Sequence, residues 1–351
     1  MRRVCLVVAS LRKGGSERVI SELANNWSKI ENIEVHLILL TRQKRYYRIN
    51  ENVKVHDVGA GKSVTVKTIK TALNLRRKIK EINPESVLSF NEIYNNLTLI
   101  SLIGIRVKIF VSDRNSPDNR LPWPHEVLRK ILYRNCSGVI AQTSKAAEVL
   151  KTLTNNRNIA VIPNPLINVD FNSEINRKKT ILNIGRNVTQ KNQATLIEIF
   201  NRIEDKTWKL KILGEGPLRS ELSELVRSYG LEDRVQLMDF TSEISEEYQS
   251  ASIFAMTSLY EGLPNALMEA LAFGLPSIAF NCNYGPSDLI KDGINGFLID
   301  EHEIDEFVEK LNLLTGDADL RKRLQGYSDE FRLYYNGVTI SDRFLKYVLC
   351  D

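Results

Sequence analysis

Cysteine is scarce in this chain of 351 residues: Cys5, Cys136, Cys282 and Cys350 stand far apart, with no Cys-x-x-Cys pair. That spacing gives neither a zinc site nor a disulfide framework. Long apolar runs are missing as well. The nearest, residues 97–111, is broken by Arg106 and Lys108 and stays short of the ~18–20 residues of a membrane helix. The first apolar run, residues 4–9, is too short for the core of a secretory signal, and no small-x-small cleavage site suits one. These absences point to a cytoplasmic protein. No G-x-G-x-x-G follows that run, which weighs against a dinucleotide-binding enzyme.

What is present is ordinary in amount and uneven in distribution. The chain is 43% hydrophobic and 26% charged, as expected of a soluble globular protein. Its length suggests two domains at roughly 150 residues each. Residues 1–170 hold 28 Lys and Arg against 14 Asp and Glu, whereas residues 171–351 hold 20 against 29, so +14 faces −9. A basic half suggests an anionic partner such as a membrane surface, a phosphorylated acceptor or a nucleic acid. No nucleic-acid-binding motif accompanies it. Within it, residues 62–82 place Ile69, Ala72, Leu73, Ile79 and Ile82 at helical spacing among Lys67, Lys70, Arg76, Arg77, Lys78 and Lys80. Such a basic amphipathic helix suits anionic lipid, with residues 42–48 adding cations. An ordinary packed helix with a solvated cationic face is the plain alternative.

Apolar strand-like runs alternate with amphipathic stretches. Residues 4–9, 35–40, 86–90, 107–112 and 139–141 read as buried strands, and residues 19–27 as a helix. The prolines of Ile162-Pro163-Asn164-Pro165 interrupt the pattern and mark a linker. Strands at 180–185, 208–213, 235–238, 253–257, 277–280 and 296–298 then continue it, with helices at 192–203 and 217–229. Two doubly wound parallel sheets follow. The expected domains are residues 1–165 and 166–337, with a terminal helix, 338–351, that returns to the first.

Three loops carry possible chemistry. Gly14-Gly15-Ser16 lets backbone approach a ligand at a helix start, where N–H groups favour a phosphate. A plain turn capped by Ser16 is the alternative. Gly185-Arg186-Asn187-Val188-Thr189-Gln190-Lys191 puts two cations at the carboxyl end of a strand, where doubly wound folds bind ligands. Together they can neutralise a diphosphate without a metal. The third stretch runs from Glu261 through Pro264-Asn265-Ala266-Leu267 to Glu269. Pro264 reads as the first helical residue, leaving the next amides for an anion, and a carboxylate suits a sugar diol. Asp317-Ala318-Asp319 mimics a metal motif but reads as a helix start.

These pieces, with Gly214-Glu215-Gly216-Pro217 and residues 285–296, resemble a retaining glycosyltransferase of family 4, similar to those of bacterial surface-polysaccharide assembly. The resemblance spans nearly the whole chain and is strongest over residues 180–300. It implies a GT-B fold, α/β, in which two Rossmann-like domains face a central cleft. It also implies transfer of a hexose or N-acetylhexosamine from a nucleotide diphosphate sugar, taken as a UDP-sugar, to a lipid-linked or polysaccharide glycan. No metal or other cofactor is implied, and no nucleic acid. Gly14 and Gly15 would lie near the diphosphate, which Arg186 and Lys191 would hold. Gly214, Glu215 and Gly216 would border the nucleotide, with Met238 and Phe240 beside its base. Pro264, Asn265, Ala266 and Leu267 would supply the helix end, Glu269 would bind ribose, and Glu261 would contact the transferred sugar. The protein would sit peripherally on the inner face of the cytoplasmic membrane.

One motif departs from the family. Val111-Ser112-Asp113-Arg114-Asn115 has Arg114 where many members carry a His. Arginine is no general base at neutral pH, so Asp113, Arg114 and His125 are the acceptor-side candidates. A sugar-nucleotide 2-epimerase of the same architecture and a non-enzymatic lipid-surface binding protein remain alternatives.

Overall fold

The computed structural model describes residues 1–12, 14–61, 68–117, 121–166, 177–241 and 243–350. The basic residues Lys62 and Lys67 lie outside the described set. The chain forms two compact units, one of Met1–Ile167 with Tyr335–Asp351, the other of Asn168–Tyr334.

The first unit alternates β1 (Arg2–Val8), α1 (Gly15–Trp27), β2 (Ile33–Leu39), β3 (Lys54–Asp57), α2 (Thr68–Ile82), β4 (Ser86–Phe90), α3 (Glu92–Ser101), β5 (Lys108–Ser112), α4 (His125–Tyr133), β6 (Gly138–Ala141), α5 (Ser144–Thr154) and β7 (Ile159–Val161). The second contains β8 (Thr180–Ile184), α6 (Gln193–Arg202), β9 (Lys209–Leu213), α7 (Arg219–Ser228), β10 (Val235–Met238), α8 (Ile244–Ser250), β11 (Ile253–Met256), α9 (Asn265–Ala272), β12 (Ser277–Phe280), α10 (Pro286–Leu289), β13 (Gly296–Ile299), α11 (Ile304–Gly316), α12 (Ala318–Gln325) and α13 (Ser328–Tyr334). Helix α14 (Gly337–Leu349) then belongs to the first unit.

Both sheets are parallel throughout, in the orders β3-β2-β1-β4-β5-β6-β7 and β10-β9-β8-β11-β12-β13. Strands buried on both faces need continuous apolar runs, which is why Val4–Val8 are all buried. The strand order reverses at β1/β4 and at β8/β11. Connections that leave in opposite directions open a crevice outside the carboxyl ends of those strands, the position at which such sheets bind ligands.

In the first unit, one sheet face packs α1 and α14 and the other packs α2 and α3. Trp27 is fully buried and its Nε1 donates to the Ser341 carbonyl at 3.0 Å, while the Phe344 ring stacks 6.3 Å from that of Phe90. Burying those rings fixes α14, and truncating either would cost about 3–5 kcal/mol. The proline-bearing segment read as a linker lies at the end of this unit, two residues before the second begins, and is buried there, with Leu166 N–H bonded to the Tyr335 carbonyl at 2.9 Å.

Helix α2 also differs from its sequence reading. Thr71, Leu75, Ile79 and Ile82 face the sheet, whereas Ile69 and Leu73 are exposed. The true period runs through Thr71, a residue that the apolar pattern passes over.

Candidate active site

In the second unit, the loops after β8 and β11 meet at the reversal of strand order. β8 ends at Ile184, and the Gly185–Asn192 loop closes with a 3₁₀ turn at Thr189–Lys191. Its shape rests on a chain of buried amides. The Asn187 side chain donates to Gln193 Oε1 at 2.9 Å, Gln193 Nε2 donates to Asn183 Oδ1 and the Gly185 carbonyl at 3.1 Å each, and Asn183 donates to the Ala255 carbonyl at 2.8 Å. Asn183 and Gln193 lie outside the motifs read from the sequence. Only their polarity at strand-end and helix-start positions marks them.

The neighbouring Gly214–Gly216 loop lies hard against this turn. A Cβ on Gly214 would sit 1.8 Å from the Gly185 carbonyl oxygen, and one on Gly216 would sit 2.3 Å from that of Asn187. Backbone bonds lace the two loops, with Asn187 N–H to the Glu215 carbonyl at 3.0 Å and Leu218 N–H to the Asn187 carbonyl at 3.1 Å. Gly214 N–H also reaches the Met238 carbonyl at 2.8 Å, so the end of β10 is fixed to the same cluster. Met238 is exposed there, and Phe240 is half-buried two residues on.

On the other side, the loop after β11 is tied by Thr257 Oγ1 to the Asn192 carbonyl at 2.9 Å and by Leu259 N–H to the Gln190 carbonyl at 2.9 Å. This arrangement brings Lys191 Nζ within 2.5 Å of Glu261 Oε1, and the lysine stem lies over Gly185. The lysine side chain is 20% exposed and that of the glutamate 8%. Arg186 is exposed at the same turn, with no carboxylate partner among the described residues. A paired cation and an unpaired one therefore stand at one strand end.

Helix α9 starts beside them, one residue later than the sequence reading placed it. Pro264 is the N-cap, with ψ 106, and its carbonyl accepts from Met268 N–H at 3.0 Å. The extended ψ keeps the proline outside the helix. The amides of Asn265, Ala266 and Leu267 are then the first three of the helix, at the positive end of its dipole. Gly285, at φ +91, backs this entry, since a Cβ there would meet the Gly262 carbonyl and Pro264 Cδ at 2.5 Å. Glu269 is buried one turn into the helix.

The first unit holds the remaining candidates. Gly14, not Ser16, is the N-cap of α1, and Tyr47 Oη donates to its carbonyl at 3.1 Å. Gly15 is the first helical residue. Asp113 and Arg114, read as acceptor-side residues, are 3% and 8% exposed. Arg114 donates to Asn164 Oδ1 at 2.5 Å and to Ser112 Oγ at 3.2 Å, and its guanidinium lies 4.7 Å from the Phe90 ring centre. Burial works against its charge, and the carboxylates of Glu92 and Asp113 offset this. Its donors face inward because the guanidinium ties the ends of β4, β5 and the 162–166 segment together.

Asp113 accepts from Tyr133 Oη at 2.6 Å and Asn95 Nδ2 at 3.2 Å. Burial first, and then Glu92, push its carboxyl up to about 7. Glu92, which the sequence reading missed, holds the loop from below. Its carboxylate accepts from the N–H groups of Arg114 and Asn115, each at 3.0 Å, and from Asn115 Nδ2 at 2.8 Å. The residue before it, Asn91, has φ 75, a strained value for a non-glycine residue. Asn115 is the exposed member of this loop. His125 begins α4, and its carbonyl accepts from Asn96 at 2.9 Å. Asp113 and Arg114, though neighbours in the chain, thus turn to different partners, and Asp113 is linked towards His125 through Asn95 and Asn96, successive asparagines of α3.

Two family models match, one described as glycosyltransferase family 4 over residues 13–167, the other as glycosyl transferases group 1 over residues 168–331. The amylovoran biosynthesis glycosyltransferase AmsD of Erwinia amylovora is 30% identical over 319 residues, covering 88% of each chain. The chain belongs to glycosyltransferase family 4. It is also 25% identical, over 92% of each chain, to a Campylobacter jejuni α-1,4-N-acetyl-D-galactosaminyltransferase whose name specifies a PP-undecaprenol glycan. Among solved structures, it is similar to HepE of Anabaena in complex with UDP, at TM-score 0.81 and 16% identity over 99% of each chain. The lipopolysaccharide outer core galactosyltransferase WaaB matches at TM-score 0.76 and 22% identity, covering 100% of this chain and 99% of that one. These likenesses show the GT-B fold.

The protein is therefore a transferase, which sets aside the epimerase and the non-enzymatic alternatives. In this glycosyltransferase, Asp317 caps α12 by accepting from Leu320 N–H at 2.8 Å, so the metal-like Asp317-Ala318-Asp319 sequence is a helix start. Among the described residues, no group of three or more His, Cys, Asp or Glu is placed to hold a metal ion.

Proposed function

We propose that this glycosyltransferase moves a hexose or N-acetylhexosamine from a UDP-sugar, with retention, to a lipid-linked glycan in bacterial surface-polysaccharide assembly. The observation that carries the donor half is the Lys191–Glu261 pair beside the exposed Arg186, at the reversal of strand order and next to the start of α9. An Arg fork and a Lys point charge suit a diphosphate, and helix amides add to them. The names of the Erwinia and Campylobacter relatives support the polysaccharide setting and the lipid-linked acceptor. UDP in the similar HepE structure supports the nucleotide.

In the proposed reaction the bond from the sugar C1 to the diphosphate breaks as the acceptor hydroxyl approaches from the same face. The departing phosphate oxygen takes the hydroxyl proton, and the new glycosidic bond forms with the original configuration. No side-chain base is required. Arg186, Lys191 and the amides of Asn265, Ala266 and Leu267 stabilise the charge on the leaving diphosphate, so no metal is needed. Glu261, held by Lys191, accepts from a hydroxyl of the transferred sugar, and Glu269 from the ribose. Gly214, Glu215 and Gly216 border the nucleotide, whose base lies by Met238 and Phe240. The first unit receives the acceptor on the inner membrane face.

The test is transfer in EDTA from UDP-hexoses and UDP-N-acetylhexosamines to an undecaprenyl-diphosphate glycan, with the product anomer read by NMR. An α-linked product from an α-linked UDP-sugar supports the proposal. Inversion, or transfer only from GDP-, ADP- or dTDP-sugars, contradicts it.

A further inference from the structure

The loop after β5 is held by a buried carboxylate through one bond more than its backbone needs. Glu92 opens α3 and is 3% exposed. Its Oε1 accepts from the N–H groups of Arg114 and Asn115, each at 3.0 Å, and those two bonds set the course of the loop. Its Oε2 takes a third bond, from Asn115 Nδ2 at 2.8 Å. Asn115 itself is exposed, so this last bond ties a surface amide to a buried anion.

The chemistry of the pair fixes which way the amide faces. A carboxylate only accepts, so the nitrogen of Asn115 turns to Glu92 and Oδ1 turns away from it. Among the described residues, nothing donates to that oxygen. Two further features hold it still. Asn91, just before Glu92, stays at φ 75 with its N–H on the Ser112 carbonyl at 3.1 Å and its carbonyl on Asn95 N–H at 2.7 Å. Backbone strain of this kind persists where the surroundings over-determine it, and it gathers at preorganised sites. Beneath the loop, Arg114 is locked by Asn164, Ser112 and the Phe90 ring. The outcome is a rigid, unused acceptor atom just past β5, beside the strand that flanks the β1/β4 reversal and at the edge where such sheets receive ligands.

We infer that Asn115 is a specificity-determining residue of the first unit, whose Oδ1, turned outward by Glu92, accepts a hydrogen bond from a hydroxyl of the acceptor sugar. Glu92 is its positioning residue. The inference rests on the acceptor reading proposed above and deepens it. An amide oxygen of fixed direction favours a sugar with a hydroxyl at one place on its ring, because a sugar lacking that hydroxyl leaves the oxygen unpaired.

Exchanging single atoms tests this, with an undecaprenyl-diphosphate glycan that the wild-type protein elongates. Glu92→Gln keeps Oε1 for the two backbone N–H groups but sets an amide nitrogen against Asn115, whose own amide must then turn over and present nitrogen outward. The acceptor KM should rise about tenfold or more, as it should in Asn115→Ala. Glu92→Gln with Asn115→Asp reverses the bond between the two side chains and returns an oxygen to the outside, so the acceptor KM should come back to within about threefold of wild type. Across the series the acceptor KM should follow the outward atom and not the melting midpoint, while UDP affinity by calorimetry stays level. An acceptor KM that tracks the midpoint, or that never changes, overturns the inference. So does a rise in the KM for the UDP-sugar alone, which would move the amide to the transferred sugar. A wild-type protein that binds UDP and elongates no such glycan contradicts the acceptor reading itself, a failure seen before any variant is made.

Discussion

Lys191 Nζ lies 2.5 Å from Glu261 Oε1, joining the loop after β8 to the loop after β11 across the point where the strand order of the second unit reverses. The pair has two duties in this account. It presents a cation to the leaving diphosphate, and it fixes the carboxylate that meets the transferred sugar.

Those duties separate by mutation. Lys191→Ala should lower kcat/KM by about 10²–10³-fold, the usual effect of losing one preorganised charge. Because it leaves a nearly buried carboxylate unpaired, it should also cost a few kcal/mol of stability. Lys191→Ala with Glu261→Ala should regain much of that stability and none of the activity. Thermal melts and initial rates of the three variants check this, and full activity in the double variant would refute it.

Gly214→Ala should abolish UDP binding or weaken it about 100-fold, because its Cβ would have to displace the Gly185 carbonyl now 1.8 Å away. Gly316→Ala meets nothing within 4 Å and should bind UDP as wild type with equal or higher stability. Calorimetry on both variants makes the comparison.

Arg114→Ala should destabilise the protein by about 3–5 kcal/mol, since it empties a buried site and strands the groups that its guanidinium held. UDP affinity of the folded variant should be unchanged. Arg114→Lys should recover little of the loss, because one ammonium cannot span Ser112 Oγ and Asn164 Oδ1 as the planar fork does. Normal stability with loss of transfer would restore an acceptor-contact role.

Asp113 predicts a pH dependence. Burial and the neighbouring Glu92 push its carboxyl up to about 7, although Arg129 Nη1, 3.6 Å from Oδ2, works in the opposite direction. The folded state therefore keeps a proton that the unfolded chain releases near pH 4. Its contribution is full below about pH 4 and is lost as pH rises through about 7. Asp113→Asn should match wild type near pH 4 and exceed it near pH 8 by about 2–4 kcal/mol. Denaturant melts at the two pH values measure the difference. Equal pH slopes would contradict the assignment.

How much of this was legible in the sequence depended on burial. The interior strands Ser86–Phe90 and Ser277–Phe280 were read residue for residue. A central parallel strand must be apolar on both faces, and little else gives that signal. Lys54–Asp57 and Ile159–Val161 were missed because they are edge strands, with no fully buried residue to announce them. At the site, glycines and cations showed themselves through spacing, but the orientation of Arg114 did not. An arginine beside a strand end looks the same whether it faces solvent or Phe90. Only the fold supplies Glu92 and Asn164, far along the chain, as the groups around it.

The most direct test of the central claim is calorimetric titration of UDP into the purified protein in EDTA, beside Arg186→Ala. The account predicts binding by the wild type without divalent metal. It predicts at least about tenfold weaker binding by the variant at an unchanged thermal midpoint, because Arg186 is exposed and has no carboxylate partner among the described residues. No UDP binding in EDTA, or equal affinity in the two proteins, would contradict it.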